Sequence, residues 1–328
     1  MGGNISSEKI DLLVYGPNKP IVDNGFSDQF ILHSFETKAD LDRLSPAVAA
    51  KIRGAAVTYS TARCDGAMMA LLPKLEIISS FGVGYDHVDA NYAREHNVVV
   101  TNTPDVLTEE VADIALGLLI ATLREFIKAD RYLRSGLWTT QQFPLSAGSL
   151  RDRKVGMVGM GRIGQAIGRR LEASQVPVVY HSRNPAPGVA YKHYPDLIEM
   201  AKAVDTLVVI VPGGPSTAKM VNVDVMKALG PRGVIINVAR GSVVDEVALI
   251  AALKSGGILA AGLDVFANEP TVPDELRAMQ NVVLLPHIGS ASVVTRNAMD
   301  QLVVDNLKAW FAGKPPLTPI AETPVTSR

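Results

Sequence analysis

Three segments in the C-terminal half of the chain carry side chains that make chemical sense together. Val238-Ala239-Arg240-Gly241-Ser242, Asp264-Val265-Phe266-Ala267-Asn268-Glu269-Pro270 and Pro286-His287-Ile288-Gly289-Ser290 each follow an apolar, β-branched run that reads as a buried strand. In a doubly wound sheet, ligands sit at the carboxyl ends of the strands, so the cation Arg240, the carboxylate Glu269 and the imidazole His287 are expected on one edge. A carboxylate beside an imidazole favours the imidazolium, and such a pair can deliver a proton near neutral pH. A guanidinium offers a planar fork to a carboxylate or to a carbonyl oxygen that gains charge. Each residue also has a plainer reading: Arg240 as a surface charge, His287 as a satisfied loop histidine, Asp264 as a helix cap, Glu269 as a solvated turn residue. Four groups at consecutive strand ends favour the chemical one.

A second constellation lies earlier. Residues 155–168 read as a buried strand, a glycine turn and a helix start, with the spacing G-x-G-x-x-G at Gly159, Gly161 and Gly164. Gly159 permits the tight turn, Gly161 lets backbone approach a pyrophosphate, and Gly164 lets helix pack on strand, while Arg162 and Ile163 open the helix whose free N–H groups attract phosphate. The next strand, 176–180, ends in His181-Ser182-Arg183-Asn184. An NAD-binding protein would usually place an acid there for the ribose 2′-hydroxyl. Ser182 and Arg183 instead suit a 2′-phosphate, which points to NADP(H), with NAD(H) bound more weakly.

These groups need a scaffold, and the chain supplies an alternating one. Strand-like runs at 11–15, 30–35, 55–59, 75–79 and 98–101 are separated by helical stretches at 38–52, 66–72 and 88–95, an α/β unit without a glycine fingerprint. After the turn at Asn102-Thr103-Pro104, a long helix begins near Leu107, and a turn-rich loop at 135–150 leads into the glycine-loop strand. Further buried strands are expected at 206–211, 233–237, 259–264 and 282–285, and a final helix at 294–311.

With 328 residues, 47% of them hydrophobic, the chain is long enough for two cores. A formal charge of -1 argues against nucleic acid as a main partner. Cys64 is the single cysteine, so neither a disulfide framework nor a thiolate metal site is expected, and a reducing cytoplasm fits. Residues 1–6 match a loose myristoylation pattern, but no polybasic patch follows. The apolar stretch 111–123 is too short to span a bilayer and reads as a buried interdomain or subunit-contact helix, so no membrane association is expected.

Beyond the residues discussed above, Ser79-Ser80-Phe81-Gly82-Val83-Gly84-Tyr85-Asp86, Thr101-Asn102-Thr103-Pro104-Asp105-Val106-Leu107-Thr108, Asn237-Val238-Ala239-Arg240-Gly241 and Leu285-Pro286-His287-Ile288-Gly289 give the chain a specific likeness. It resembles, nearly end to end, the D-isomer-specific 2-hydroxyacid dehydrogenases, and within them the glyoxylate/hydroxypyruvate reductase branch. The resemblance implies two doubly wound parallel-sheet domains, with a Rossmann cofactor domain at 103–291 inserted in a flavodoxin-like substrate domain made of 1–102 and 292–328. It implies that Arg240 binds the substrate carboxylate and carbonyl, that His287 is the acid/base, and that Glu269 orients and charges it. Backbone amides at Val83 and Gly84 would hold the carboxylate, with Ser60, Phe81 and Tyr85 near the pocket wall. Asp264 would meet the nicotinamide carboxamide, and Pro212, Thr217, Val238 and Gly289 would line the cofactor. The loop 211–217, with paired glycines, departs from the family's usual Pro-Leu-Thr-Pro-like form. A homodimer is implied, with Trp138 placed where related reductases send a tryptophan to the neighbouring subunit. Three alternatives stay open: an aryl-pyruvate reductase, an NAD-linked oxidative enzyme, and a non-catalytic NAD(P)-sensing protein like a corepressor.

Overall fold

The computed structural model describes residues 9–59 and 62–325; the myristoylation pattern at 1–6 and Ser60 lie outside these. The chain divides into two compact units, one of residues 1–107 with 292–328 and the other of residues 108–291. The expected edge at 102/103 falls five residues later, at 107/108. The reason is local. Thr103 exchanges hydrogen bonds with Gly82, and Asn102 bonds Val83 and Thr318, so this segment is tied to the first unit before the next helix begins.

The first unit holds β1 (Ile10–Tyr15), β2 (Phe30–Phe35), β3 (Ile52–Val57), β4 (Ile77–Ser80) and β5 (Val99–Thr101) in the order β2-β1-β3-β4-β5, all parallel. This is the flavodoxin-like order. Its core gathers Leu13, Ile52, Ala55, Val57, Ile78 and Val100 with the covering helices. The helix expected over 38–52 is instead two short ones, Lys38–Leu41 and Pro46–Ala49. Pro46 has no N–H and holds Ser45 extended, so a helix cannot run through; Ser45 caps the new start by accepting from the Val48 N–H. Ile52 is thereby released into β3, earlier than the sequence suggests.

The second unit holds β6 (Val155–Val158), β7 (Val178–His181), β8 (Lys192–Tyr194), β9 (Thr206–Val209), β10 (Val234–Asn237), β11 (Ala260–Leu263) and β12 (Val282–Leu284). The order is β12-β11-β10-β9-β6-β7-β8, again parallel throughout. Strand order reverses between β6 and β9, the position where a Rossmann sheet opens a crevice for ligand. Every residue of β6, β9, β10 and β11 is buried, as expected of strands covered on both faces. β8 escapes sequence reading because it is three residues long and has no apolar alternation. The helix Phe126–Arg134 escapes it too, since it buries no residue and starts only after Glu125 takes a left-handed φ of 52°.

The helix Thr108–Leu123 buries Val111, Ala112, Ala115, Leu118, Leu119 and Thr122 at three- and four-residue intervals. It lies on β11 where Gly262 has no side chain: a Cβ there would sit 2.6 Å from Thr122 Oγ1 and 2.8 Å from Leu118 Cγ. Among the described residues, no helix is long and apolar enough to cross a membrane. Gly262→Ala is expected to lower stability by about 1–3 kcal/mol through overpacking. Denaturant unfolding reads this directly, and an unchanged midpoint would mean that the helix lifts without cost.

Candidate active site

Strand register lines up the chemistry of the second unit. Tyr194, His181, Val158, Val209, Asn237, Leu263 and Leu284 are successive partners across the sheet from β8 to β12. The residues that follow them, among them Ser182, Gly159, Val238, Asp264 and Leu285, therefore share its carboxyl edge.

At this edge His287 Nδ1 lies 2.7 Å from Glu269 Oε2. Burial works to raise the Glu269 carboxyl. The bonds it accepts from His287 and from the Phe266 N–H, 3.0 Å away, together with the charges of His287 and Arg240, outweigh burial and hold it below the ordinary carboxylate range. An ionised carboxylate only accepts, so Nδ1 carries the hydrogen of this bond and Nε2 is left to act on another group. Both side chains are about one-third exposed, so the pair is open to a ligand.

His287 is aimed by Asp264. Its backbone is left-handed, φ 55°, and its N–H donates to the Asp264 carbonyl at 2.9 Å. The Asp264 carboxylate accepts from the next two N–H groups, Ile288 at 2.7 Å and Gly289 at 2.8 Å. Burial pushes this carboxyl upward, and the two backbone bonds oppose the shift without cancelling it. Both oxygens thus hold the histidine loop.

Arg240 is half-buried, and its Nη1 donates to the Ala239 carbonyl at 2.8 Å. Two residues not singled out from sequence set its place. Asn237, 1% exposed, accepts from the Ala239 N–H and donates to the Arg240 carbonyl, tying the turn into a ring. Gly241 passes so close to the loop after β11 that a Cβ would lie 1.8 Å from the Phe266 carbonyl carbon. The visible signals were a polar residue ending an apolar strand and a glycine directly after the arginine. Glu246 adds a third brace by accepting from the Ala267 N–H.

The glycine loop has the form that a pyrophosphate requires. Gly159 takes φ 107°, and a Cβ on it would meet the Ile210 carbonyl oxygen at 2.6 Å; one on Gly164 would meet the Gly159 oxygen at 2.6 Å. A Cβ on Gly161 would meet nothing within 4 Å, so this backbone, capping the helix Arg162–Ala173, faces open space. Arg162 is exposed there and Ile163 half-buried. Beyond β7, the Ser182 hydroxyl donates to the Asn184 carbonyl at 2.6 Å and the Ser182 carbonyl is held by His193. Arg183 is exposed on this braced turn. Helix N-terminus, open glycine and cation together fit a dinucleotide bearing an extra phosphate.

The remaining candidates fall into place less actively. Thr217 Oγ1 donates to the Pro212 carbonyl at 2.7 Å, closing the 211–217 loop on itself and leaving Pro212 exposed. Val238 is buried, with its N–H on Val209. His87 pairs with Ser80 and His181 with the Tyr194 carbonyl. Burial, with a contribution from Asp65, pushes the Cys64 thiol up to about 12, so it is no nucleophile at neutral pH.

In the first unit, described by itself, β4 runs into Phe81, Gly82, Val83 and Gly84. Lys19 and Arg296 lie over the Phe81 ring, at 4.4 Å and 5.1 Å from its centroid, and fix the base of this loop. Among the described residues, the Val83 and Gly84 N–H groups donate to no acceptor.

Gly161→Ala and Gly164→Ala should separate binding from stability. The first is expected to leave the melting temperature unchanged while weakening dinucleotide binding; the second should lower the melting temperature itself, because its Cβ meets backbone. Calorimetric melting and cofactor titration of both variants test the assignment, and equal stability losses would refute it.

Comparison with known proteins places the chain in a family. Residues 116–289 match the model of the family described as D-isomer specific 2-hydroxyacid dehydrogenase, NAD binding domain. The chain is 46% identical over 313 residues to a glyoxylate/hydroxypyruvate reductase A of Arabidopsis thaliana, covering 95% of this chain and 99% of that protein. It is 45% identical over 314 residues to a hydroxyphenylpyruvate reductase of Plectranthus scutellarioides, with the same coverage. Among solved structures, an NADPH-dependent glyoxylate/hydroxypyruvate reductase of Sinorhizobium meliloti, in complex with NADP and malonate, superposes with a TM-score of 0.93 at 53% identity, covering 98% of this chain and 99% of that one. The chain belongs to the D-isomer-specific 2-hydroxyacid dehydrogenases.

Proposed function

We propose that this dehydrogenase reduces short 2-oxo acids, glyoxylate and hydroxypyruvate, to D-2-hydroxy acids with NADPH. The observation that carries the reading is the 2.7 Å bond from His287 to an ionised Glu269, within reach of the Arg240 charge. A bound nicotinamide cofactor supplies the hydride. The chain's own part is to manage the oxygen. As C2 is reduced, its carbonyl oxygen gains negative charge and takes the proton from Nε2 of the His287 imidazolium, while Glu269, accepting from Nδ1, keeps that hydrogen in place so that Nε2 is the nitrogen that gives up its proton. Arg240 pairs with the oxygens of the acid and disperses the growing charge. The Val83 and Gly84 N–H groups are the donors of the first unit that suit a substrate carboxylate.

Gly159, Gly161 and Gly164, with the first turn at Arg162 and Ile163, would hold the pyrophosphate. Ser182 and Arg183 would take the 2′-phosphate, and Pro212, Thr217, Val238, Asp264 and Gly289 would border the rest of the cofactor. The Sinorhizobium relative's dependence on NADPH supports this preference. A second copy of this chain is the proposed partner of the helix Phe126–Arg134 and the turn beyond it, where Phe126, Leu133 and Trp138 are each more than half exposed.

His287→Gln should lower kcat by about 100- to 10,000-fold and leave NADPH binding intact. Steady-state assays with glyoxylate and fluorescence titration of the cofactor check this; a variant that keeps a tenth of the activity, roughly, would remove His287 from the proton step. Arg183→Ala should weaken NADPH by about 10- to 150-fold and hardly affect NADH. The KM of each cofactor in both proteins decides the matter. Equal weakening of the two would show that Arg183 does not read the phosphate.

A further inference from the structure

Two consecutive peptides of the first unit are held by their carbonyls. The Gly82 carbonyl accepts from the Thr103 N–H at 2.9 Å, and the Val83 carbonyl accepts from the Asn102 carboxamide Nδ2 at 2.8 Å. A trans peptide is flat, with its N–H opposite its C=O. The N–H that shares a peptide with the Gly82 carbonyl belongs to Val83, and the one that shares a peptide with the Val83 carbonyl belongs to Gly84. Anchoring both carbonyls on Asn102 and Thr103 therefore directs both N–H groups away from them. Gly82 completes the arrangement with φ 120° and an N–H bonded to Thr103 Oγ1 at 2.9 Å.

Asn102 is itself held from behind. Its N–H donates to the Thr318 carbonyl at 3.2 Å, and its carbonyl accepts from the Thr318 hydroxyl at 2.6 Å. Thr318 in turn is gripped by Asn306, whose carboxamide accepts from the Thr318 N–H at 3.0 Å and donates to its hydroxyl oxygen at 2.9 Å. Asn306 is fully buried on the helix Val293–Phe311, and a further bond to the Leu302 carbonyl fixes its rotamer. The path Asn306, Thr318, Asn102, Val83 is continuous and uses a residue with two amide donors at the point where a carbonyl must be turned.

We propose that Asn102 is a positioning residue for the substrate carboxylate: it orients the Val83 peptide so that the Gly84 N–H, beside the Val83 N–H set by Thr103, receives an anion, with Asn306 and Thr318 holding Asn102 in place. The inference rests on the reading that these two amides take the carboxylate. Charge-assisted bonds depend steeply on alignment, so a peptide free to rotate forfeits most of the contact.

The test compares wild type with Asn102→Ala and Asn102→Asp, the second keeping the shape but presenting no N–H donor at neutral pH. Each variant should raise the KM for glyoxylate by about tenfold and leave kcat and the KM for NADPH within about twofold. Thr318→Val should give the same pattern at smaller amplitude. In parallel, the Val83 and Gly84 amide signals of the 15N-labelled wild-type enzyme with NADP are followed while malonate is added. If those signals do not move, the carboxylate reading fails and the inference falls with it. If they move but the variants keep the wild-type KM for glyoxylate, the reading stands and the role of Asn102 is refuted. A parallel loss of melting temperature, cofactor affinity and kcat would mark Asn102 as structural only and would equally overturn it.

Discussion

The buried Asp264 carboxylate is the constraint from which the active edge takes its shape. A carboxylate 2% exposed is costly to ionise, and its raised pKa reflects that cost. What offsets it is a pair of short bonds from consecutive N–H groups, Ile288 and Gly289, which the turn at the preceding residue presents to the carboxylate. That residue is His287, and its left-handed backbone, which a non-glycine residue adopts at about 1 kcal/mol or more, is the turn. The same clamp therefore solves a burial problem for Asp264 and fixes the direction in which the imidazole leaves the chain. Glu269 then has only to meet a ring whose place is already set.

Arg240 is fixed by a different device, absence of volume. Gly241 lets the turn after β10 press against the backbone at Phe266 and Ala267, and no rotamer change could make room for a Cβ 1.8 Å from a carbonyl carbon. The loop that carries Arg240 and the loop that carries Glu269 are thus one packed object. The Arg240 charge reaches Glu269 because of this contact, and it adds to the effects that keep that carboxylate ionised against burial. Electrostatics at the site follows from steric fit of main chain to main chain, not from long side chains searching for partners.

This explains what could be read from the sequence. The common edge of Arg240, Glu269 and His287 was legible because β10, β11 and β12 announce themselves as apolar runs and the register of a parallel sheet brings their ends level. The glycine loop was legible because each glycine answers a separate geometric demand, now visible at Gly159, Gly161 and Gly164. Asn237 and Gly241 were present in the recognised motifs, but their work is done by backbone contacts between segments distant in sequence, which spacing does not encode. The helix Phe126–Arg134 lacked any buried stripe, and β8 was too short to show a period. At Ser45-Pro46 the local signal was explicit, yet the apolar periodicity on either side outweighed it in the reading of 38–52 as one helix.

The elements proposed to receive anions in the two units share a principle while differing in construction. Around Gly161 the donors are the free N–H groups that any helix start offers, and the missing side chain leaves the space before them open. Around Val83 and Gly84 no helix is available, so the Gly82 and Val83 carbonyls are pinned by Thr103 and Asn102, and each paired N–H is turned away from its pinned carbonyl. On the proposed reading, both devices would meet a charge common to a whole ligand class, pyrophosphate in one case and a carboxylate in the other, and backbone N–H groups of this kind do not sense what else a ligand carries. The His287, Glu269 and Arg240 set, in the role proposed for it, would likewise act on a carbonyl beside a carboxylate. Under that proposal, discrimination among 2-oxo acids would fall to side chains that touch the substituent on C2, which are free to vary while the backbone-built machinery stays as it is.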